Sequence, residues 1–374
     1  MNDLSSILPR STSLITRGIE EGLHTGVQLY ISQNRAVIAD TGFGESRPGI
    51  PMDTDTIMLW MSSTKPITAV AIASLWQDSL VDLDTAVCHY VPDFAKGGKQ
   101  DITIRHLLTH TAGIRNSEIM IRGMTDESEI IRMICASGIE PGWVPGRRAG
   151  YHLSSSWYML GEIVHRVSGR PINEYVREKL FEPLGMTDSW IGMPGGKYRD
   201  YGTRIGYMYN TEGVRPVLNN WHDESDCALV SPGGNGRGPI RELGYFYEML
   251  LQKGERNGVE ILSPQTVESL TARHRSGMKD RTFIHELDWG LGFLVDSNRY
   301  GPETVPYSFG RHCSMRTYGH GGRQSSSSFT DPEHRLVVTV VFNGMPGERK
   351  HNERIREINT AIYEDLALTS IRET

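Results

Sequence analysis

Apolar residues follow three different periods along this chain. Residues 26–32 and 36–41 read as β-strands, and the polar Gln33-Asn34-Arg35 between them predicts a hairpin. Ahead of them an amphipathic pattern predicts a helix that is broken near Pro9 and ends around Gly22. Far downstream, residues 336–342 (Leu-Val-Val-Thr-Val-Val-Phe) form a β-branched run with the unbroken apolarity of a buried strand. A charged segment follows in which Ile355, Ile358, Ile362 and Leu366 recur at helical spacing, predicting a closing amphipathic helix.

The middle of the chain has the helical period. Helices are predicted over 67–80, 104–109, 130–136, 157–167 and 172–181, with Gly113 and Gly169 as C-terminal stops for two of them. Strands at both ends and helices between them predict an α/β (α+β type) fold. Residues 1–65 and 230–374 would form a sheet lobe, residues 66–229 a mostly helical inserted lobe, and the active site would lie between the two.

Composition narrows the function. A length of 374 residues allows two domains or one large one, at roughly 150 residues per domain. No internal repeat or low-complexity linker separates two independent units. The net charge of −6 disfavours a nucleic-acid partner, which needs a basic face. Cys88, Cys135, Cys227 and Cys313 are widely spaced, which opposes a structural zinc site or a dense disulfide scaffold. The first ten residues lack a basic n-region followed by an apolar run, and no stretch approaches the ~20 apolar residues of a membrane helix. A cytoplasmic protein with reduced thiols and no membrane partner is expected.

Candidate chemistry begins at Leu59-Trp-Met-Ser-Ser-Thr-Lys-Pro66, where Ser62 and Lys65 stand three apart at the start of a strongly apolar helix. That spacing stacks the two side chains on one face, so the lysine can take the serine proton if a low-polarity site leaves part of it neutral. The helix N-terminus also favours a developing oxyanion. The spacing alone is weak: Ser276 and Lys279 repeat it in a polar, Arg- and His-rich stretch with no apolar helix behind it.

Further segments occur in a telling order. They are Asp101-Ile-Thr-Ile-Arg-His-Leu-Leu-Thr-His-Thr-Ala-Gly113, Pro145-Gly146, Tyr151-His-Leu153, Trp157-Tyr-Met-Leu-Gly161, Tyr318-Gly-His-Gly-Gly322 and Thr330-Asp-Pro-Glu333. Together with Ser62-x-x-Lys65 they resemble the serine β-lactamase-like family: class C β-lactamases, penicillin-binding DD-peptidases, and the related family VIII carboxylesterases and acyltransferases. The resemblance runs from about Gly26 to Leu366. It implies a mainly antiparallel sheet flanked by helices, with Ser62 as the acylated nucleophile and Lys65 as its helix neighbour. Tyr151 matches the tyrosine of Tyr-x-Asn; a phenol held near an ammonium would become more acidic and relay a proton. His320-Gly321-Gly322 falls where the family has Lys-Thr-Gly, and the oxyanion would be held by the N–H groups of Ser62 and Arg323.

Two replacements shift the expected chemistry. Leu153 stands in place of the asparagine, and His320, only partly charged near neutral pH, in place of the lysine. Both disfavour β-lactam hydrolysis and point towards the esterase-like and acyltransferase-like branches. The expected reaction is cleavage of a small-molecule ester or amide through a Ser62 acyl-enzyme, with acyl transfer to an alcohol or amine as the alternative. No metal or organic cofactor is implied, and the pattern specifies no oligomeric state. His106 and His110, four apart on a predicted helix, lack the H-E-x-x-H glutamate and are expected to pack. Neither a G-x-S-x-G elbow nor a P-loop motif is present. Ser325–Ser328 should belong to a strand or its edge. Trp143, Tyr207, Tyr209, Trp221, Tyr245 and Trp289 are candidates to line an acyl pocket, with core packing the expected fate of each one taken singly.

Overall fold

The computed structural model describes residues 4–369. A helical turn at Leu4–Ile7 leads into helix α1, Pro9–Glu20, and Gly22 at φ +72° turns the chain into the sheet. Strands β1 (Gly26–Gln33) and β2 (Ala36–Arg47) form the predicted hairpin, and Asn34 and Arg35 both take the positive φ of a tight type I′ turn. Strand β2 runs six residues past its predicted end at position 41. A side chain at Gly42 or Gly44 would collide with the carbonyls of Met52 or Thr25, so glycines carry this stretch and leave no alternating pattern to read.

Strand β3 (Ile50–Pro51) and strand β4 (Met58–Met61) follow, then helices α2 (Lys65–Gln77), α3 (Glu127–Ala136) and α4 (Ser155–Ser168). Short strand β6 (Gly236–Gly238) pairs with β4 on one side and with β5 (Trp190–Ile191) on the other, in a small sheet that the apolar pattern did not predict. After helix α5 (Ile240–Leu251) come β7 (Asp288–Trp289), β8 (Leu294–Val295), β9 (Tyr318–Gly322), β10 (Ser326–Asp331), β11 (Leu336–Phe342) and helix α6 (Glu348–Asp365).

The main sheet has eight strands in the order β7-β8-β9-β10-β11-β1-β2-β3, every neighbouring pair antiparallel. Strand β1 meets β11 from Val27↔Phe342 to Gln33↔Leu336, so the two ends of the chain join inside the sheet. Val338, Val340 and Phe342 pack with Ile15 of α1 and Ile355, Ile358 and Ile362 of α6. Val337 and Val341 belong instead to the core that holds Leu243, Phe246 and Tyr247 of α5 and most of α2. Burial on both faces explains why the β11 run is continuously apolar. Helix α2 is buried from Lys65 to Ala73, which is why it shows no polar face.

Several helix limits differ from expectation. Helix α2 starts at Lys65 because Pro66 fits a first helical turn, and it stops at Gln77, with Ser79 at φ 59°. Asp126 caps α3 by accepting from the Glu129 N–H, which extends it to Glu127. The predicted helix over 172–181 changes to a π turn at Arg177–Phe181. The helix at Ile104–Leu108 stops before His110, which lies at φ 58°; the two histidines therefore do not share a helix face.

No helix among the described residues is long and apolar enough to cross a membrane. All four cysteines are free thiols, three of them buried. Ile358, 1% exposed, joins α6 to the sheet. Ile358→Ala should lower unfolding free energy by about 2–5 kcal/mol in urea titrations.

Candidate active site

Ser62 opens a single 3-10 turn, Ser62–Thr64, between β4 and α2, and is half-buried. Met61 before it takes φ 52°, a costly conformation for a residue with a Cβ. The turn is braced by Thr64, whose Oγ1 donates to Met61 O (2.6 Å) and accepts from the Gly236 N–H (2.8 Å).

Lys65, one helical turn on, is fully buried. Its Nζ donates to Ser62 Oγ at 3.0 Å, Leu153 O at 2.8 Å and Gly233 O at 2.7 Å. Burial pulls the ammonium down to about 7, opposed by the charge of Glu118. Gly233 reaches the amine because it has no side chain: a Cβ there would lie 2.7 Å from the Trp157 ring. Thr68 pins the same strap through Pro232 O at 2.6 Å. Leu153 acts through its carbonyl, while its side chain is 55% exposed. Its replacement of asparagine thus removes a side-chain amide but leaves a polar contact with the lysine.

Tyr151 is buried, and its backbone is held by Asp280, which accepts from the Tyr151 N–H at 3.0 Å. Asp280 is in turn paired with the buried Arg275 at 3.1 Å. The Tyr151 ring packs against His110 (4.5 Å between centroids), Phe283 (5.1 Å) and Trp289 (5.8 Å), and Lys65 Nζ lies 5.2 Å from its centroid. The expected acidification does not occur. Burial drives the phenol pKa up, and its hydrogen bond with Ser62 offsets only part of that rise. Tyr151 is therefore a neutral hydroxyl in this site.

Strand β9 forms the opposite wall. His320 is buried, its Nδ1–H donates to Gly321 O (2.7 Å), and burial lowers it to about 3. It is neutral at physiological pH, not partly charged as expected. Gly322 allows the strand to lie against the serine turn: a Cβ there would sit 2.3 Å from Ser326 Oγ, 2.5 Å from Trp60 O and 2.8 Å from Met61 Cβ. Arg323 follows in the β9–β10 turn with its side chain exposed. Gln324, at φ 47°, is held at four points. Its N–H donates to Tyr307 Oη (3.3 Å), its Nε2 donates to Glu348 (3.2 Å), its Oε1 accepts from Gly347 N–H (2.8 Å), and its carbonyl accepts from Arg354 (3.1 Å). Arg354 is buried, and its hydrogen bonds go to carbonyls and to His24 and His351.

The structure thus brings Ser62, Lys65, Tyr151, Leu153, His320, Gly321 and Gly322 together. Of the six aromatic candidates, Trp289 lies beside this group, 5.6 Å from the His320 ring. Trp143 is tied to Thr111 O, Tyr207 stacks on His222 and Tyr245 packs on Tyr30. Tyr209 lies in a short strand paired to Gly344, and Trp221 is half-buried against the helical core. His106 closes a capping box with Thr103, and His110 accepts from the His152 N–H. No cluster able to hold a metal is found among the described residues. Ser276 and Lys279 lie on a surface stretch away from any apolar helix, with Ser276 bonded to Arg299.

Glu118 was missed from sequence. It accepts from the N–H groups of Ser154 (2.9 Å) and Ser155 (2.8 Å), capping α4 where the chain leaves Tyr151 and Leu153. A Ser-Ser pair ahead of an apolar helix is the local signal for a cap here, but the capping carboxylate comes from 36 residues earlier.

The profile of the family described as Beta-lactamase matches residues 12–361. The chain is 24% identical to Esterase/beta-lactamase LipL of Mycobacterium tuberculosis (strain ATCC 25618 / H37Rv), over 84% of this chain and 76% of that protein. It is 27% identical to Esterase EstB of Burkholderia gladioli, over 92% and 93%. Among solved structures, EstCE1, a hydrolase with promiscuous acyltransferase activity, superposes with a TM-score of 0.80 at 20% identity, covering 96% of this chain and 99% of that one.

Buried neutral histidines make the protein acid-sensitive. His24, His152 and His320 are each lowered from 6.5 to about 3, mainly by burial. The unfolded chain binds these protons first, so the stability they contribute is intact above pH 6.5 and falls as pH drops towards 3. His110 and His351 are lowered well below 6.5 by the same cause, so urea unfolding should show stability falling steadily below about pH 6, and His152→Asn should flatten that slope.

Proposed function

The chain belongs to the Beta-lactamase family, and on that premise we propose that it cleaves a small-molecule ester through an acyl-enzyme on Ser62. The observation that carries this reading is the set of acceptors around Lys65. Two are backbone carbonyls, which can only accept. In the neutral amine they claim both N–H bonds, and the remaining lone pair faces Ser62 Oγ. A buried lysine near 7 supplies that neutral form at physiological pH.

Ser62 Oγ attacks the carbonyl carbon as its proton passes to Lys65 Nζ. The N–H groups of Ser62 and Arg323 receive the oxyanion; the first is an unpaired donor at a helical start, and Gly322 brings the second close. Tyr151, kept protonated by burial, donates to the leaving oxygen as the tetrahedral adduct collapses. Proton transfer from the Lys65 ammonium to the phenolate then restores the neutral tyrosine and the neutral amine. Water then attacks the acyl-enzyme, loses a proton to the neutral amine, and frees the acid and Ser62.

An uncharged ester fits better than a β-lactam carboxylate. His320 carries no charge, and Leu153 offers only a carbonyl already bonded to Lys65. The names of LipL and EstB support an esterase, and an amide uses the same steps. The cytoplasmic setting is part of the proposal.

The test uses short-chain p-nitrophenyl esters with intact-protein mass spectrometry. Wild type should turn over and carry an acyl adduct, and Ser62→Ala should lose both; full turnover in that variant removes the nucleophile assignment. Nitrocefin should be hydrolysed more slowly than the ester. Added alcohols or amines that yield transfer product would move the reading to acyl transfer.

Because Lys65 must be neutral, kcat/KM should rise about tenfold per pH unit below 7 and level off above it. A pH–rate profile from pH 6 upward checks this. A profile with no inflection between about pH 6 and 8 would mean that a lysine lowered to about 7 is not the base.

A further inference from the structure

Ser63 takes no part in the proton transfers above, yet its side chain is fully buried between two walls of the site. Its Oγ lies 3.0 Å from His320 O and 2.9 Å from Ser326 Oγ, and Ser326 Oγ lies 2.8 Å from Trp60 O. Ser326 is equally buried. This chain of contacts runs from β4 through β10 and the serine turn to β9. It passes through the space that Gly322 leaves open, since a Cβ at Gly322 would lie 2.3 Å from Ser326 Oγ.

The two hydroxyls have two protons for three contacts, and both terminal carbonyls can only accept. Either each serine donates to its own carbonyl, or both protons line up along the chain towards Trp60 O or towards His320 O. In each arrangement the serine turn stays tied to at least one flanking strand. The ends of the chain bracket the oxyanion donors. Ser62 N–H lies between Trp60 and Ser63, and Arg323 N–H lies three residues past His320.

We propose that Ser63 and Ser326 are positioning residues that set the separation of the two N–H groups receiving the oxyanion. The proposal rests on the reading of Ser62 as nucleophile. Loosening the clamp lets β9 drift from the serine turn, and a shift well below 1 Å weakens both donors at the transition state while leaving ester binding intact.

Ser63→Ala and Ser326→Ala, with the near-isosteric Ser63→Cys and Ser326→Cys in case a buried gap prevents folding, are assayed on the p-nitrophenyl ester. Each folded variant should lose about 10- to 100-fold in kcat with KM within about threefold of wild type. Affinity for an arylboronic acid, whose adduct with Ser62 is tetrahedral, should fall by the same factor as kcat/KM. Wild type should prefer an ester over its thionoester, and the variants should show a smaller preference. Mass spectrometry should still find the acyl group on Ser62.

A purely structural role predicts lower melting temperature with boronate affinity and ester-to-thionoester ratio unchanged, and that result overturns the proposal. So does a kcat within threefold of wild type. Turnover surviving in Ser62→Ala would instead overturn the nucleophile reading itself, which separates the two failures.

Discussion

An amine enclosed by protein must find its hydrogen-bond partners without water, and the site is built around that constraint. Lys65 meets it with one hydroxyl and two carbonyls, drawn from its own turn, from the segment after Tyr151 and from the Pro232-Gly233 strap. Each supplier is fixed in its own way. Thr64 braces the serine turn, Glu118 caps the helix that follows Leu153, and the missing side chain of Gly233 lets its strap lie on Trp157. Disturbing any of them leaves a buried donor unmatched, which costs more than the bond itself contributes.

The two pKa changes around this amine run in opposite senses from one cause. Burial removes charge from Lys65 and prevents charge on Tyr151. The resting pair is therefore a base of moderate strength beside a protonated phenol, a division of labour set by desolvation of both groups.

Backbone pattern and motif order made the broad organisation readable. The β1–β2 hairpin, β11 and α6 lie where periodicity predicted them, because each buries one or two defined faces. Ser62, Lys65, Tyr151 and His320 converge as the resemblance implied. The contributions of Gly233, Asp280 and Glu118 were illegible, because a carbonyl leaves no mark on its side chain and a cap from a distant segment has no local spacing. The charge states of Tyr151 and His320 were misjudged for a related reason: residue type specifies a reference pKa, whereas burial is a property of the assembled fold. The small sheet β4-β6-β5 escaped because two- to four-residue strands carry no usable period.

The pairing of β1 with β11 has a consequence for the order of synthesis. A ribosome releases the serine turn long before it makes β9, and β11, the strand that pairs with β1, is made later still. The nascent chain therefore carries Ser62 and Lys65 through the synthesis of the helices and of α5 without the wall that, on the proposed reading, holds an oxyanion. Chemistry has to wait for contacts of very long sequence separation, which form late and slowly. On the proposed reading, a chain that stops short of β9 holds the nucleophile and its amine but lacks the second oxyanion donor.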